Sequence, residues 1–139
     1  MIRHIFYVFL LILALSTSHT YASQSWALQH GVGEVNMTVT THNKAAKKAF
    51  LAGLALMESF EFEEARHNFV LAQKHDRTFA MAYWGEAMSQ VMFLWFYIDY
   101  DQGNKIYQRM RHNADLIHLS ALEKQLIDSS KVLFRANGR

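Results

Sequence analysis

Phe50 to Ser89 reads FLAGLALMESFEFEEARHNFVLAQKHDRTFAMAYWGEAMS, and the fold follows from how small and aromatic residues are spaced within it. Gly53 is followed by Ala65, then Phe69 four residues on, then Ala72. Apolar residues recur at three- and four-residue steps on both sides of Ser59–Glu61, which is the pattern of two amphipathic helices joined by a turn. Helices approach closely only where a side chain is nearly absent, and an aromatic ring fills the space beside such a contact. Gly53 and Ala65 are therefore expected to face each other, with Phe69 beside them.

A glycine in a first helix and A-x3-F in a second form the tetratricopeptide signature, whose repeat length is about 34 residues. One such step takes Gly53 to Ala87 and Phe50 to Trp84. The match is partial, since Ala49 and Ala52 stand where the signature has Trp and Leu, Leu56 where it has Tyr, and Arg77 where it has the closing Pro. The segments GLALMESFEFEEARHNFVLAQKHD and FAMAYWGEAMS resemble a family of bacterial tetratricopeptide-repeat proteins, often exported and mostly uncharacterised. HGVGEVNMTVTTHN, His30 to Asn43, is similar to the glycine-valine lead-in of that family. The resemblance covers Gly31 to Trp95 well, and Ala80–Met88 is its most specific block. It implies a helical repeat scaffold and no particular reaction. At places where the family commonly carries histidines this chain has Glu58 and Met92-Phe93, so no ligand role is carried over.

The expected fold is all-α, with tetratricopeptide-type hairpins forming a short right-handed α-solenoid. The first helix is expected over Asn43–Glu58 with Thr41 as its N-cap, and the second over Phe62–His75. Glu63 and Glu64 in the first turn of the second helix, with Lys74 and His75 in the last, complement the helix dipole. Lys44, Lys47 and Lys48 read as a solvated face. The third helix is expected over Thr78–Met92, capped by Thr78 and apolar on most sides, with Gly85 offset by a close neighbour. A turn at Asp101–Asn104 separates it from a fourth helix over Lys105–Leu116, with Ile106, Tyr107 and Met110 inward. Ser120-Ala121-Leu122-Glu123 is a capping box that opens a fifth helix, whose apolar residues are Leu122, Leu126, Val132 and Phe134. The abrupt end in ANGR reads as that of a truncated array.

Residues 1–22 read as a signal peptide. Arg3 precedes an apolar run from Ile5 to Leu15, and Thr20-Tyr21-Ala22 offers a cleavage site before Ser23. The run is shorter than the 20 or so residues a spanning helix needs, so membrane contact is expected only through this segment before cleavage, with the product periplasmic or secreted. Residues 23–41 form an extended N-terminal segment in which Val35, Met37 and Val39 alternate with polar residues, a tail across the first hairpin. Residues 42–135 form the tetratricopeptide-like domain.

Composition narrows the function. The 139 residues carry 14 basic and 12 acidic side chains, and no basic run interleaves with aromatics, so a nucleic-acid partner is not expected. With no Cys there is no disulfide framework or thiolate chemistry, and with no Pro the helices run unbroken. The 8 His are scattered, and HExxH, GxSxG, P-loop and GxGxxG motifs are absent, so no catalytic residue, metal site or cofactor is expected. Phe93–Tyr100, FLWFYIDY, has two readings. It finishes the third helix, with Phe93, Phe96, Tyr97 and Tyr100 on one buried face, or it lines a concave binding wall. The expected function is binding of a protein or peptide by a concave helical surface, with Tyr83, Trp84, Trp95 and Tyr97 as contact residues. The structural residues that define the repeat are Gly53, Ala65, Phe69, Ala72 and Ala87. The alternatives are a small-molecule or metal-dependent enzyme, or its accessory domain, on the same scaffold, and a truncated copy without independent function.

Overall fold

The computed structural model describes residues 35–135. The expected signal peptide, most of the 23–41 segment and the ANGR terminus lie outside the described residues. Five helices carry the fold: α1 (Lys44–Glu58), α2 (Phe62–His75), α3 (Ala80–Met88), α4 (Tyr100–Asn113) and α5 (Ala121–Arg135). Between α3 and α4 lies a small antiparallel hairpin of β1 (Val91–Met92) and β2 (Tyr97–Ile98), joined through a 3-10 turn at Phe93–Trp95. The helices pack mainly in chain order, each on the next, and α3 also touches α1 and α5. The fold is thus mostly helical, and the hairpin is its departure from an all-α reading.

α1 begins at Asn43, whose Oδ1 accepts the amides of Ala45 and Ala46 at 3.0 Å each. The cap is therefore Asn43 and not Thr41. The Thr41 hydroxyl accepts the amide of Asn43 itself at 3.1 Å, one step before the helix, and donates to Asp76 Oδ2 at 2.6 Å, at the end of α2. Ala46, Ala49, Phe50, Gly53 and Leu54 bury one stripe of α1, while Lys44, Lys47 and Lys48 stay exposed. Ahead of α1, half-buried Val35, Met37 and Val39 alternate with exposed Asn36, Thr38 and Thr40, in chain that pairs into no sheet among the described residues.

α2 folds back through Ser59–Glu61. The amide of Glu61 donates to Leu56 O at 2.9 Å and that of Phe60 to Met57 O at 3.1 Å, a Schellman closure. Its left-handed position, usually glycine, is filled by Phe60 at φ 63°.

Phe69 is the pivot of the core. A Cβ placed on Gly53 would lie 2.7 Å from the Phe69 ring, and one on Gly85 only 2.4 Å from it. One ring of α2 thus seats on two bare helix backbones, α1 and α3. Gly85 costs about 1 kcal/mol of helix propensity, and this contact offsets it. The three atoms nearest to that Gly53 position all belong to Phe69, the ring expected beside this contact. Phe50 joins them, with centroids 5.7 Å from Phe69 and 5.2 Å from Phe79. Ala65, Ala72 and Ala87 are fully buried around this cluster.

α3 is shorter than expected, ending at Met88 where Thr78–Met92 was read, and Thr78 does not cap it. The Thr78 amide and hydroxyl both donate to Asp76 Oδ1, at 3.0 and 2.7 Å. Asp101–Asn104 is not a turn. Asp99 caps α4 by accepting the Gln102 amide at 2.9 Å, and the helix runs through Gly103. That glycine serves packing, since a Cβ there would lie 2.1 Å from the ring of Phe134 on α5. Tyr107 packs on the same ring with centroids 5.6 Å apart. Its hydroxyl shares a short hydrogen bond with Ser130, and burial pushes the phenol up to about 12.

The capping box of α5 forms as read. Glu123 Oε2 accepts the amide and hydroxyl of Ser120 at 2.8 and 2.7 Å, and Oε1 accepts the amide and hydroxyl of Thr40 at 2.9 Å each. This fully buried carboxylate therefore ties the N-terminal extended chain to α5. The buried apolar side chains of α5 are Ile127 and Phe134, whereas the apolar Leu122 and Val132 are exposed.

Candidate functional site

The contact residues read from the sequence separate into two groups. Tyr83 is 3% exposed and belongs to the core, its hydroxyl donating to Arg77 O at 3.0 Å, and burial pushes its phenol up. It offers no surface to a partner. Trp84 is half-buried, with its indole Nε1 enclosed and unpartnered among the described residues. Trp95 and Tyr97 are exposed by 59% and 51%, and the hairpin brings them together with Phe93 at 66%, Leu94 at 64% and Phe96 at 99%.

That exposure overturns the single buried face expected of Phe93, Phe96, Tyr97 and Tyr100. The face required a continuous helix, and the chain leaves the helix after Met88. Val91 pairs with Ile98 and Met92 with Tyr97, and the Asp99 amide donates to Gln90 O at 3.1 Å. The turn closes through Phe96 at φ 52°, with its amide donating to Phe93 O at 3.1 Å. The two non-glycine residues at positive φ among the described residues are thus both exposed phenylalanines, Phe60 and Phe96. Each holds a strained backbone with its ring in solvent, a combination that packing does not require.

The two strained turns belong to one surface. Phe62 lies 6.3 Å from Phe60 and meets Trp95 edge-on at 6.0 Å, so the rings bridge the α1–α2 turn to the hairpin. Between them opens a groove of about 350 Å³ whose lining includes Phe60, Phe62, Met92 and Trp95, with Glu61, Glu63, Glu64 and Arg66. Arg66 Nε donates to Glu63 Oε2 at 3.2 Å, and this hydrogen bond holds the Glu63 carboxyl below its usual range. Glu61 and Glu64 have no side-chain partner among the described residues. The sequence reading passed over Phe60 and Phe62 as a turn and a helix start. The available signal was a bulky apolar residue at a turn position that favours Gly or Asn.

A second cavity, of about 550 Å³, lies where the lead-in, the end of α2 and the α4–α5 loop converge, and its lining includes His42, Asp76, Asp115 and His118. Its polar groups are largely committed to one another. Asp76 takes the hydroxyls of Thr41 and Thr78, and Asp115 takes the amides of Ile117 and His118 and the ring of His118 at 2.6 Å. Among the described residues no group of three or more His, Asp or Glu is placed to hold a metal ion, and no helix is long and apolar enough to cross a membrane. Glu86 was also missed, a carboxylate 3% exposed on α3 that accepts from Arg109 at 2.6 Å and from Gln73 at 2.7 Å. Its signal was a lone charge in an otherwise apolar helix. No protein-family model matches the chain, and neither a curated protein nor a solved structure matches it.

Proposed function

We propose that this chain is an exported scaffold of tetratricopeptide-type helix hairpins, arranged as a short right-handed solenoid, and that it binds a protein or peptide partner in the cell envelope. The buried positions of Gly53, Ala65, Phe69, Ala72 and Ala87 support the hairpin type, and the pattern of residues 1–22 supports export. One observation carries the binding role: Phe93–Tyr97 are five consecutive apolar side chains, each more than half exposed, continuous with the rings of Phe62 and Phe60. An exposed apolar patch rimmed by polar residues marks a contact surface, and aromatic side chains dominate binding energy at such surfaces. The docking surface is thus the hairpin and its groove, in place of a wall built on Tyr83 and Trp84.

The experiment is capture from an envelope extract on immobilised protein, with the wild type and Phe96→Asp run side by side. Phe96 touches almost nothing in the fold, so this variant should melt as the wild type does. A protein retained by the wild type and lost from Phe96→Asp supports binding at the hairpin. Equal retention on both removes the hairpin from the function.

A further inference from the structure

The groove beside the hairpin carries a charge pattern that narrows the partner. Three glutamates and one arginine line it, and the arginine is held by Glu63, which leaves Glu61 and Glu64 exposed in a lining they share with aromatic rings. The nearest lysines on α1 end at Lys48, ten residues before Glu58. At 1.5 Å per residue that is about 15 Å, beyond the Debye length of about 8 Å at physiological salt, so they do not offset the groove. Aromatic faces attract cations, Arg and Lys above all, and carboxylates beside them add direct pairing. Anionic lipid would meet the same carboxylates as repulsion, which sets the groove apart from a membrane-docking face.

We propose that the groove takes a cationic segment of a protein partner, with a Lys or Arg set over Phe60 and Trp95 and paired with Glu61 and Glu64, while an adjoining apolar side chain lies against Phe93–Tyr97. This rests on the peptide-binding role above and assigns the chemistry of the peptide. The strain at Phe60 belongs to the same device. Glycine would close the Schellman turn with less backbone strain, and only the phenylalanine supplies a ring to the groove.

The test is a fluorescence-anisotropy titration with two labelled peptides of equal length, one alternating Lys with Phe and the other alternating Glu with Phe. Vesicles of zwitterionic and of anionic phospholipid serve as further probes. The Lys-Phe peptide should bind, more weakly as salt rises, and the Glu-Phe peptide should not. Glu61→Gln combined with Glu64→Gln should weaken binding about tenfold, as expected when paired rim charges are removed. Phe60→Gly should weaken it by a similar factor without lowering the melting temperature, a result that a purely structural ring would not give. Equal binding of both peptides overturns the cationic assignment and leaves peptide binding standing. No binding of either peptide, with or without binding to vesicles, overturns both.

Discussion

Phe69 shows how one residue sets the arrangement of three helices. Its ring lies on Gly53 and Gly85 at distances that exclude even a methyl group. Gly85→Ala should therefore cost about 1–3 kcal/mol by overpacking, and Phe69→Ala about 3–5 kcal/mol by emptying the same space. Because the two share one contact, Gly85→Ala in a Phe69→Leu background should cost clearly less than alone, and thermal melts of the cycle give the coupling. Additive costs would mean that the ring does not bridge the helices. Asp76 acts in a different way. Burial raises its pKa, but hydrogen bonds from Thr41 and Thr78, with His42 nearby, bring it below the ordinary value of 3.8. A carboxylate lowered in the fold stabilises it fully above its unfolded pKa, and that contribution is lost as pH falls through the folded value. Acid melts from pH 6 to pH 2 should show the loss below about pH 4. In Asp76→Asn the acid-dependent part should be smaller and the stability at neutral pH lower. An unchanged acid profile would assign the loss to other carboxylates.

At the scale of elements, α1 and α2 were legible because periodicity, dipole-matched charges and turn residues agree over the same stretch. The later elements were not, for reasons of distance along the chain. Gly103 looks like punctuation in DQGN, yet it is glycine because Phe134, far along the sequence, occupies the place of its side chain. The Thr41 hydroxyl donates to Asp76, 35 residues on, a partner that sequence spacing does not reveal. FLWFYIDY has no period that separates a helix from a hairpin, and the left-handed turn at Phe96 contradicts local preference. Of the four contact residues read from sequence, the structure puts Trp95 and Tyr97 on the hairpin, while Tyr83 proved to be core because α3 is buried on nearly every side. The expected outcome for Tyr97→Ala is now a small change in melting temperature, within about 0.5 kcal/mol, similar to that of Trp95→Ala. A loss of several kcal/mol from Tyr97→Ala would show that the segment is packed in solution.

For the whole molecule, two of the contacts that join sequence-distant parts are made by α5. Glu123 ties Thr40 to the start of α5, and Phe134 ties α5 to α4. Glu123→Ala should cost about 1–3 kcal/mol or more, since it strands the Thr40 amide and removes the carboxylate half of the capping box, the acceptor of the Ser120 amide. Denaturant unfolding should show that loss, and a neutral result would make the N-terminal tie incidental. If the chain is exported, protein recovered from the envelope should begin at Ser23 by N-terminal sequencing, and an intact Met1 on cytoplasmic protein would count against export. The central claim is that the groove and hairpin exist for a partner and contribute little to the fold. Hydrogen-deuterium exchange of the full chain, with and without the captured partner, tests it most directly. Protection on binding should appear over residues 59–64 and 91–98 and leave the α4–α5 loop unchanged. Protection around Asp76, Asp115 and His118 with an unaltered hairpin would contradict it.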